Sequence, residues 1–490
     1  MTLSPELLPL ARLPLPTLLA IGGIIAVVVI SWSFSHWRTA VKAAFVLALF
    51  EGAIRKWLVP QGQELVYFGK DILLIGAYLK FYLYPDPGLR AWRLNAPVAA
   101  IIGLTIFTGL SVLNPNIGSP ILGLIGLKGY FMYIPMAFMM PFLFRNREEL
   151  IRQATYYALL ATPICLLGFL QWNSDRFSVV NTFASGMAET GATGFGFGDK
   201  SRITGTFSYL TGHSTFVLFF TGLHVALLLA KQSKTMRAWL LLNLPLLVAN
   251  GLMGGSRSAI YGIALIIGGV LFFSSTYKLG SNLKALANLG VAGAVVALGA
   301  AYFFSDALLM WSTRAQISGD NVQSRVIDQA QVAIELAFSE TAITGYGLGT
   351  TMPVTSQLRN VLSIPPPENK PPSMDHEMTQ VVVELGLICA LAWYGMRLLV
   401  LAFSFRMFKQ CRDDELRPLI LVSFLVQLPY FYLSAVLNHT ANFLLWGFIG
   451  ITLLPSLQPA VQRRAMPGTP SPPMPSATPP TRPRGSKFPR

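Results

Sequence analysis

Residues 254–274 read Gly254-Gly255-Ser256-Arg257-Ser258-Ala259 and then IYGIALIIGGVLFFS. From Ser258 to Ser274 no residue carries a charge, and a helix that spans a bilayer needs roughly 17–25 such apolar residues. An arginine stands directly before that run, behind two glycines. Ionisable groups at membrane depth are costly and point to a use. At a helix start, backbone N–H groups and a guanidinium face one point, which suits an anion.

The same kind of run recurs along the chain. Candidate spans lie at 17–35, 40–58, 71–85, 97–113, 122–143, 153–171, 207–230, 237–252, 258–274, 285–305, 378–404, 418–437 and 441–456. Glu51, Arg55 and Lys56 interrupt the second, and Lys80 interrupts the third. The expected fold is an all-α polytopic membrane bundle of 12 or 13 transmembrane helices. Composition agrees: 53% of the 490 residues are hydrophobic and 12% charged, against about 25% charged in soluble domains. The run at 17–35 lacks a basic flank ahead of it and reads as a retained first span, not a cleaved signal.

A net charge of +15 would suit nucleic acid, but its distribution does not. Segments 36–42, 86–96, 144–152, 231–237, 275–284, 405–417 and 457–490 hold 22 of the 37 Lys and Arg residues, and they alternate between spans. Short cytoplasmic loops collect basic residues. The charge therefore encodes topology: C-terminus in the cytoplasm, intervening loops outside, membrane lipid as the neighbour and no nucleic acid. Cys165 and Cys389 fall inside spans and Cys411 in a cytoplasmic loop, so no disulfide framework is expected.

Residues 1–456 form the expected membrane domain, with two long outer loops at about 172–206 and 306–377. In the second, Val322, Val326, Ala330, Ala333 and Ala337 repeat at helical spacing, which predicts a short helix from Asn321 to about Glu340 with Asp320 as N-cap. Its polar face carries Arg325, Asp328, Gln331 and Glu335. The tail at 457–490 is rich in Pro, Ser, Thr and Arg and is expected to be disordered.

By this topology Arg202, Arg257, Arg325 and His376 share the outer side. Several arginines near glycine-rich turns suit a lipid-linked diphosphate, since a guanidinium grips phosphate oxygens in a fork. Asp375, His376 and Glu377 open the span at 378–404, and a histidine beside a carboxylate can act as a general base. Glu377, Gln380 and Glu384 share a helix face, so that polar stripe must meet a cavity or partner helices. His213 and His224 read as packing residues. No GxxxxGK[ST], HExxH or CxxC motif occurs, and no tight carboxylate cluster for a divalent ion. No metal or cofactor is expected, and the energy of any reaction must come from the substrate. Gly345, Gly347 and Gly349 read as a tight turn, because no βαβ context surrounds them.

Three segments together resemble the O-antigen ligase and polysaccharide polymerase superfamily of bacterial inner-membrane proteins. They are Arg202-Ile203-Thr204-Gly205-Thr206-Phe207 before a span, Gly255-Ser256-Arg257-Ser258-Ala259, and Arg325 through Gly345-Tyr346-Gly347-Leu348-Gly349 to His376 and Glu384-Leu385-Gly386-Leu387. The resemblance covers roughly residues 200–400. It departs from the family in one place: an Asn often follows the histidine there, and Glu377 stands here. The resemblance implies transfer of a glycan from undecaprenyl diphosphate to an acceptor hydroxyl on the outer side of the inner membrane. The acceptor is another glycan for a polymerase and lipid A core for a ligase. In that scheme Arg257, Arg202 and Arg325 bind the diphosphate, and one of Asp375, His376 and Glu377 is the base. The rival from another class is a transporter or flippase for lipid-linked sugars, which needs the same arginines but polar groups deep in several spans.

Overall fold

The computed structural model describes residues 15–60, 66–86, 96–183, 200–277 and 376–457, with 305–306, 308–309, 312–313, 327–338, 343–352, 355, 358–360 and 363–365 between them. Fifteen α-helices and no β-strand occur among the described residues. In chain order they are α1 Leu15–Ser35, α2 Trp37–Ala53, α3 Gly69–Tyr78, α4 Ala96–Gly109, α5 Pro120–Phe131, α6 Ile134–Leu143, α7 Arg147–Leu159 and α8 Ala161–Asn173. There follow α9 Leu210–Leu229, α10 Lys234–Met253, α11 Arg257–Tyr277, α12 Asp328–Ala337, α13 Glu377–Gln410, α14 Leu416–Leu425 and α15 His439–Leu457.

The chain is an all-α, multi-pass membrane protein. Among the described residues six helical stretches are long and apolar enough to cross a bilayer, or seven if α5 and α6, bent by 44°, count as one. α1 to α3, α14 and α15 fall in the remaining expected spans, and the span expected at 285–305 lies outside the described residues. α9 is the axis: 89% of its apolar window is buried, against 22% for α4 with its short extension to Leu113. Without a hydrophobic drive between helices in lipid, close packing at small residues holds such a bundle. Gly52 shows this most sharply. A Cβ there would sit 2.2 Å from the Ser208 backbone nitrogen, so α2 lies directly on the segment that leads into α9.

Ion pairs join helices at one end of the bundle. Lys42 meets Glu149 at 2.5 Å, and Arg147 meets Asp413 and Glu415 at 3.1 and 3.0 Å. Asn146 caps α7 by accepting the Glu149 N–H at 2.8 Å. Lys80, which interrupts the third expected span, reaches Asp86 at 3.0 Å. Hydrogen bonds from Lys80 and Trp37 hold the Asp86 carboxyl below the usual carboxylate range.

α13 is not one straight span. Arg397 Nη1 lies 3.1 Å from Glu377 Oε1, yet a straight helix would part these positions by about 30 Å. The break is at Gly386, with φ 71° and ψ 172°. The arms 377–385 and 387–410 therefore come back toward one another. The break frees two carbonyls: Val383 and Glu384 accept the N–H groups of Tyr346 and Gly347 at 2.8 and 2.9 Å. The 343–352 turn thus closes the bend, and Gly345, Gly347 and Gly349 all take positive φ there. The tight-turn reading of these glycines holds.

A Cβ at Gly386 would sit 2.5 Å from the Ile343 carbonyl oxygen. Gly386→Ala combines that clash with a left-handed backbone, an expected loss on the order of 2–4 kcal/mol. The check is the thermal midpoint of the detergent-purified protein, which should fall well below wild type.

The helix expected in the second loop is present as α12 from Asp328, with Ala333 and Ala337 buried as the spacing predicts. It packs against α13. Its expected first turns, including Asn321 and Arg325, lie outside the described residues, as do Asp375 and the tail at 458–490.

Candidate functional site

α10 ends at Met253 and α11 begins at Arg257, so the turn between them carries the glycines and serines noted in the sequence. Gly255 takes φ 60°, a conformation that favours glycine. Ser256 caps α11: its Oγ accepts the Ala259 N–H at 3.4 Å and lies 3.0 Å from Ser258 Oγ. Arg257 is the first residue of α11 and is half-buried. The positive end of the helix dipole and the guanidinium therefore act from the same place.

Arg202 comes to this turn from another part of the chain. Its Nε donates to the Gly254 carbonyl at 2.7 Å. Arg202, Ser256 and Ser258 line one cleft of about 410 Å³, whose other polar walls include Thr211, Ser214 and Asn438. Such a volume is in the ordinary range for small-ligand sites. Two arginine-bearing segments singled out separately in the sequence thus meet in space.

The segment that carries Arg202 is held from beneath. Gln171 accepts the N–H groups of Thr204 and Gly205 at 3.1 and 2.7 Å and donates to the Gly205 carbonyl at 3.2 Å. Lys56 donates to Thr204 Oγ1 at 3.0 Å and to the Gly205 carbonyl at 2.8 Å. Thr206 Oγ1 donates to the Leu49 carbonyl at 2.5 Å. α2 and α8 together fix this loop.

The floor of the cleft is the linker between α14 and α15. Tyr430 Oη and Asn438 Nδ2 both donate to Thr215 Oγ1, at 3.2 and 3.1 Å. Asn438 also caps α15, accepting the Ala441 N–H at 3.2 Å. His376 reaches the same linker: its ring lies 6.2 Å from that of Tyr432, next to Leu433 in the cleft wall. Because the first arm of α13 folds back, His376 sits beside the middle of the second arm. It stands directly before the first residue of α13, where the sequence placed it.

Glu377 points elsewhere. It is buried, paired with Arg397, and accepts the N–H groups of Ala435 and, at 2.7 Å, Val436. Arg397 also donates to the Tyr430 carbonyl. Glu384 accepts from Tyr130 Oη at 2.9 Å and from the Thr351 N–H and hydroxyl at 2.9 and 2.6 Å. The polar stripe of Glu377, Gln380 and Glu384 therefore meets partner segments and pins the fold. Of the six candidate site residues, Arg202 lines the cleft, Arg257 stands in the chain between its lining residues Ser256 and Ser258, His376 lies against the linker at Tyr432, and Glu377 is paired with Arg397. Arg325 and Asp375 are outside the described residues. His224 is a packing residue as expected, its Nδ1 2.7 Å from the Phe220 carbonyl oxygen.

Sequence reasoning misses a second charged group. Glu51, Arg55, Lys70, Asp71 and Lys128 gather near Tyr67 where α2, α3, α5 and α15 meet. Its signal is present as the charges that interrupt the apolar run 40–58, which read there only as a weak span.

No protein-family model matches the chain, and no curated protein matches it.

Proposed function

We propose that the chain is a metal-independent glycosyltransferase. It moves a glycan from undecaprenyl diphosphate to an acceptor hydroxyl on the outer face of the bacterial inner membrane. The preferred form of the reaction is that of an O-antigen or exopolysaccharide polymerase, with lipid A core as the acceptor in the ligase form. The observation that carries this reading is the meeting of Arg202 with the Arg257 turn at one cleft. The reading also rests on the resemblance of residues 200–400 to that superfamily.

In the reaction, the acceptor oxygen attacks the sugar's anomeric carbon. The bond from that carbon to the phosphate oxygen breaks, and the lipid diphosphate leaves with the electron pair. Arg202, Arg257 and Arg325 stabilise the charge that grows on the leaving group, as preorganised cations do in other transferases. His376 takes the acceptor proton, a role a neutral imidazole fills near neutral pH.

The test is purified protein with undecaprenyl-diphosphate glycan in detergent, read as release of lipid diphosphate and growth of the glycan. Translocation across a bilayer without release favours the transporter reading instead. In this assay His376→Ala lowers turnover by about 10²–10⁴-fold, the usual worth of a general base, with donor affinity unchanged. Turnover at the wild-type rate would remove His376 from the mechanism.

A further inference from the structure

Behind the cleft wall lies the charged group that the transfer chemistry leaves unused. Two of its cations are matched. Lys70, only 1% exposed, sits 2.5 Å from Glu51 Oε2. Lys128 sits 2.9 Å from Asp71 Oδ2, and Tyr133 Oη donates to the other oxygen of Asp71 at 2.8 Å.

The third cation, Arg55, is matched only loosely. Its neighbour Lys56 is buried and turns away from the group, donating to a hydroxyl and a carbonyl of the 204–205 turn. Arg55 comes no nearer than 4.0 Å to Glu51, whose carboxylate Lys70 already holds. Its Nη1 donates to Ser208 Oγ at 3.0 Å, while its Nε is buried with no hydrogen-bond partner. Both residues lie on the π-helical turn Ile54–Leu58 that ends α2, and such turns are frequent at functional sites. A partly buried cation matched this loosely gains from a counter-ion that completes it.

Tyr67 is the hub of the group. Lys128 Nζ lies 3.6 Å from its ring centre, Arg55 5.2 Å and Lys70 5.3 Å. The group borders the cleft twice. Ser208, bonded to Arg55, precedes Tyr209 of the cleft wall, and His439, 5.1 Å from the Tyr67 ring, follows Asn438 of that wall.

We propose that Arg55 and Lys128, gathered at Tyr67, form a second anion subsite that takes a phosphate or diphosphate group. It is separate from the subsite at Arg202 and Arg257. Guanidinium and ammonium groups around a half-buried hub suit a multivalent phosphate, since charge-assisted bonds to its oxygens are the strong ones. The distinction from a first, donor subsite rests on the transferase reading; the affinity for phosphate does not. The shared chemistry has two sources: the diphosphate of a lipid-linked acceptor, or the headgroup of an anionic phospholipid. An acceptor diphosphate held here would make the protein a polymerase, because lipid A core does not carry that lipid anchor.

The test is binding to the full-length protein in a neutral detergent, by calorimetry and native mass spectrometry. Undecaprenyl diphosphate, inorganic pyrophosphate and phosphatidylglycerol are titrated separately. Wild type should bind two equivalents of the lipid diphosphate. Arg55→Gln should weaken one of them by about tenfold or more, the worth of one bond to a charged group. Lys128→Gln combined with Asp71→Asn keeps the buried charge balance and should weaken the same equivalent. Arg257→Ala should remove the other. Phosphatidylglycerol competing at the Arg55-dependent equivalent supports the subsite and assigns it to bulk lipid. Pyrophosphate binding that depends on Arg55, in a protein without transferase activity, keeps the subsite and sinks the transferase reading alone. A single equivalent in wild type, or two that both folded variants leave untouched, overturns the proposal.

Discussion

Arg257→Ala should reduce donor turnover by about 10²–10³-fold, the typical loss when one preorganised donor to a developing charge is removed. Membrane insertion and folding should survive. The turn does not depend on the guanidinium for its shape: Ser256 caps α11, and Gly255 supplies the positive φ. Alanine is also a good residue for a first helical turn. Arg257→Lys should recover part of the rate, because an ammonium supplies charge without the fork that grips two phosphate oxygens. Turnover is measured as lipid diphosphate released by a monodisperse preparation. An alanine variant with the wild-type rate would show that the cleft at Arg202 and Ser256 does not bind the leaving group.

Glu377→Ala should destabilise the protein by about 3–5 kcal/mol, as expected when one partner of a buried ion pair is removed. The change strands Arg397 inside the bundle and leaves the Ala435 and Val436 N–H groups without their acceptor. The linker that floors the cleft would lose its anchor at the same time. Glu377→Gln combined with Arg397→Met removes both charges together and should restore much of the midpoint. The readouts are thermal midpoint and folded yield, with turnover then expressed per folded molecule. A stable Glu377→Ala protein with no turnover would make the carboxylate part of the chemistry and reverse the assignment made from its contacts.

The membrane character of the chain was legible because it depends on local composition. An apolar run of bilayer length has few alternatives to a helix in lipid, since every backbone polar group must be satisfied within the segment. The helix in the second long loop and its buried alanines followed from a 3.6-residue period alone. The candidate turn at Arg257 was visible too, because its glycines, cap and arginine are adjacent in the chain.

Other parts were not legible, for definite reasons. Glu377 beside His376 looks like a catalytic neighbour in sequence, yet its carboxylate faces Arg397, twenty positions on. Only the left-handed break at Gly386 makes that contact possible, and a glycine inside an apolar run gives no sign of a reversal. In the sequence Glu51 only interrupts its apolar run, and Lys70, Asp71 and Lys128 give no sign of pairing. They become mutually satisfied only when α2, α3 and α5 pack together.

By itself, the sequence determined that this is a multi-pass helical membrane protein with an arginine at the start of one span. Those properties follow from runs and turns of adjacent residues. Tertiary structure alone decided that Arg202 joins that arginine's turn, that His376 lies beside the cleft, that Glu377 is a structural anchor, and that a cluster with excess positive charge lies behind the wall. Each of those results is a contact between distant segments, set by how the helices bend and pack, which no local pattern encodes.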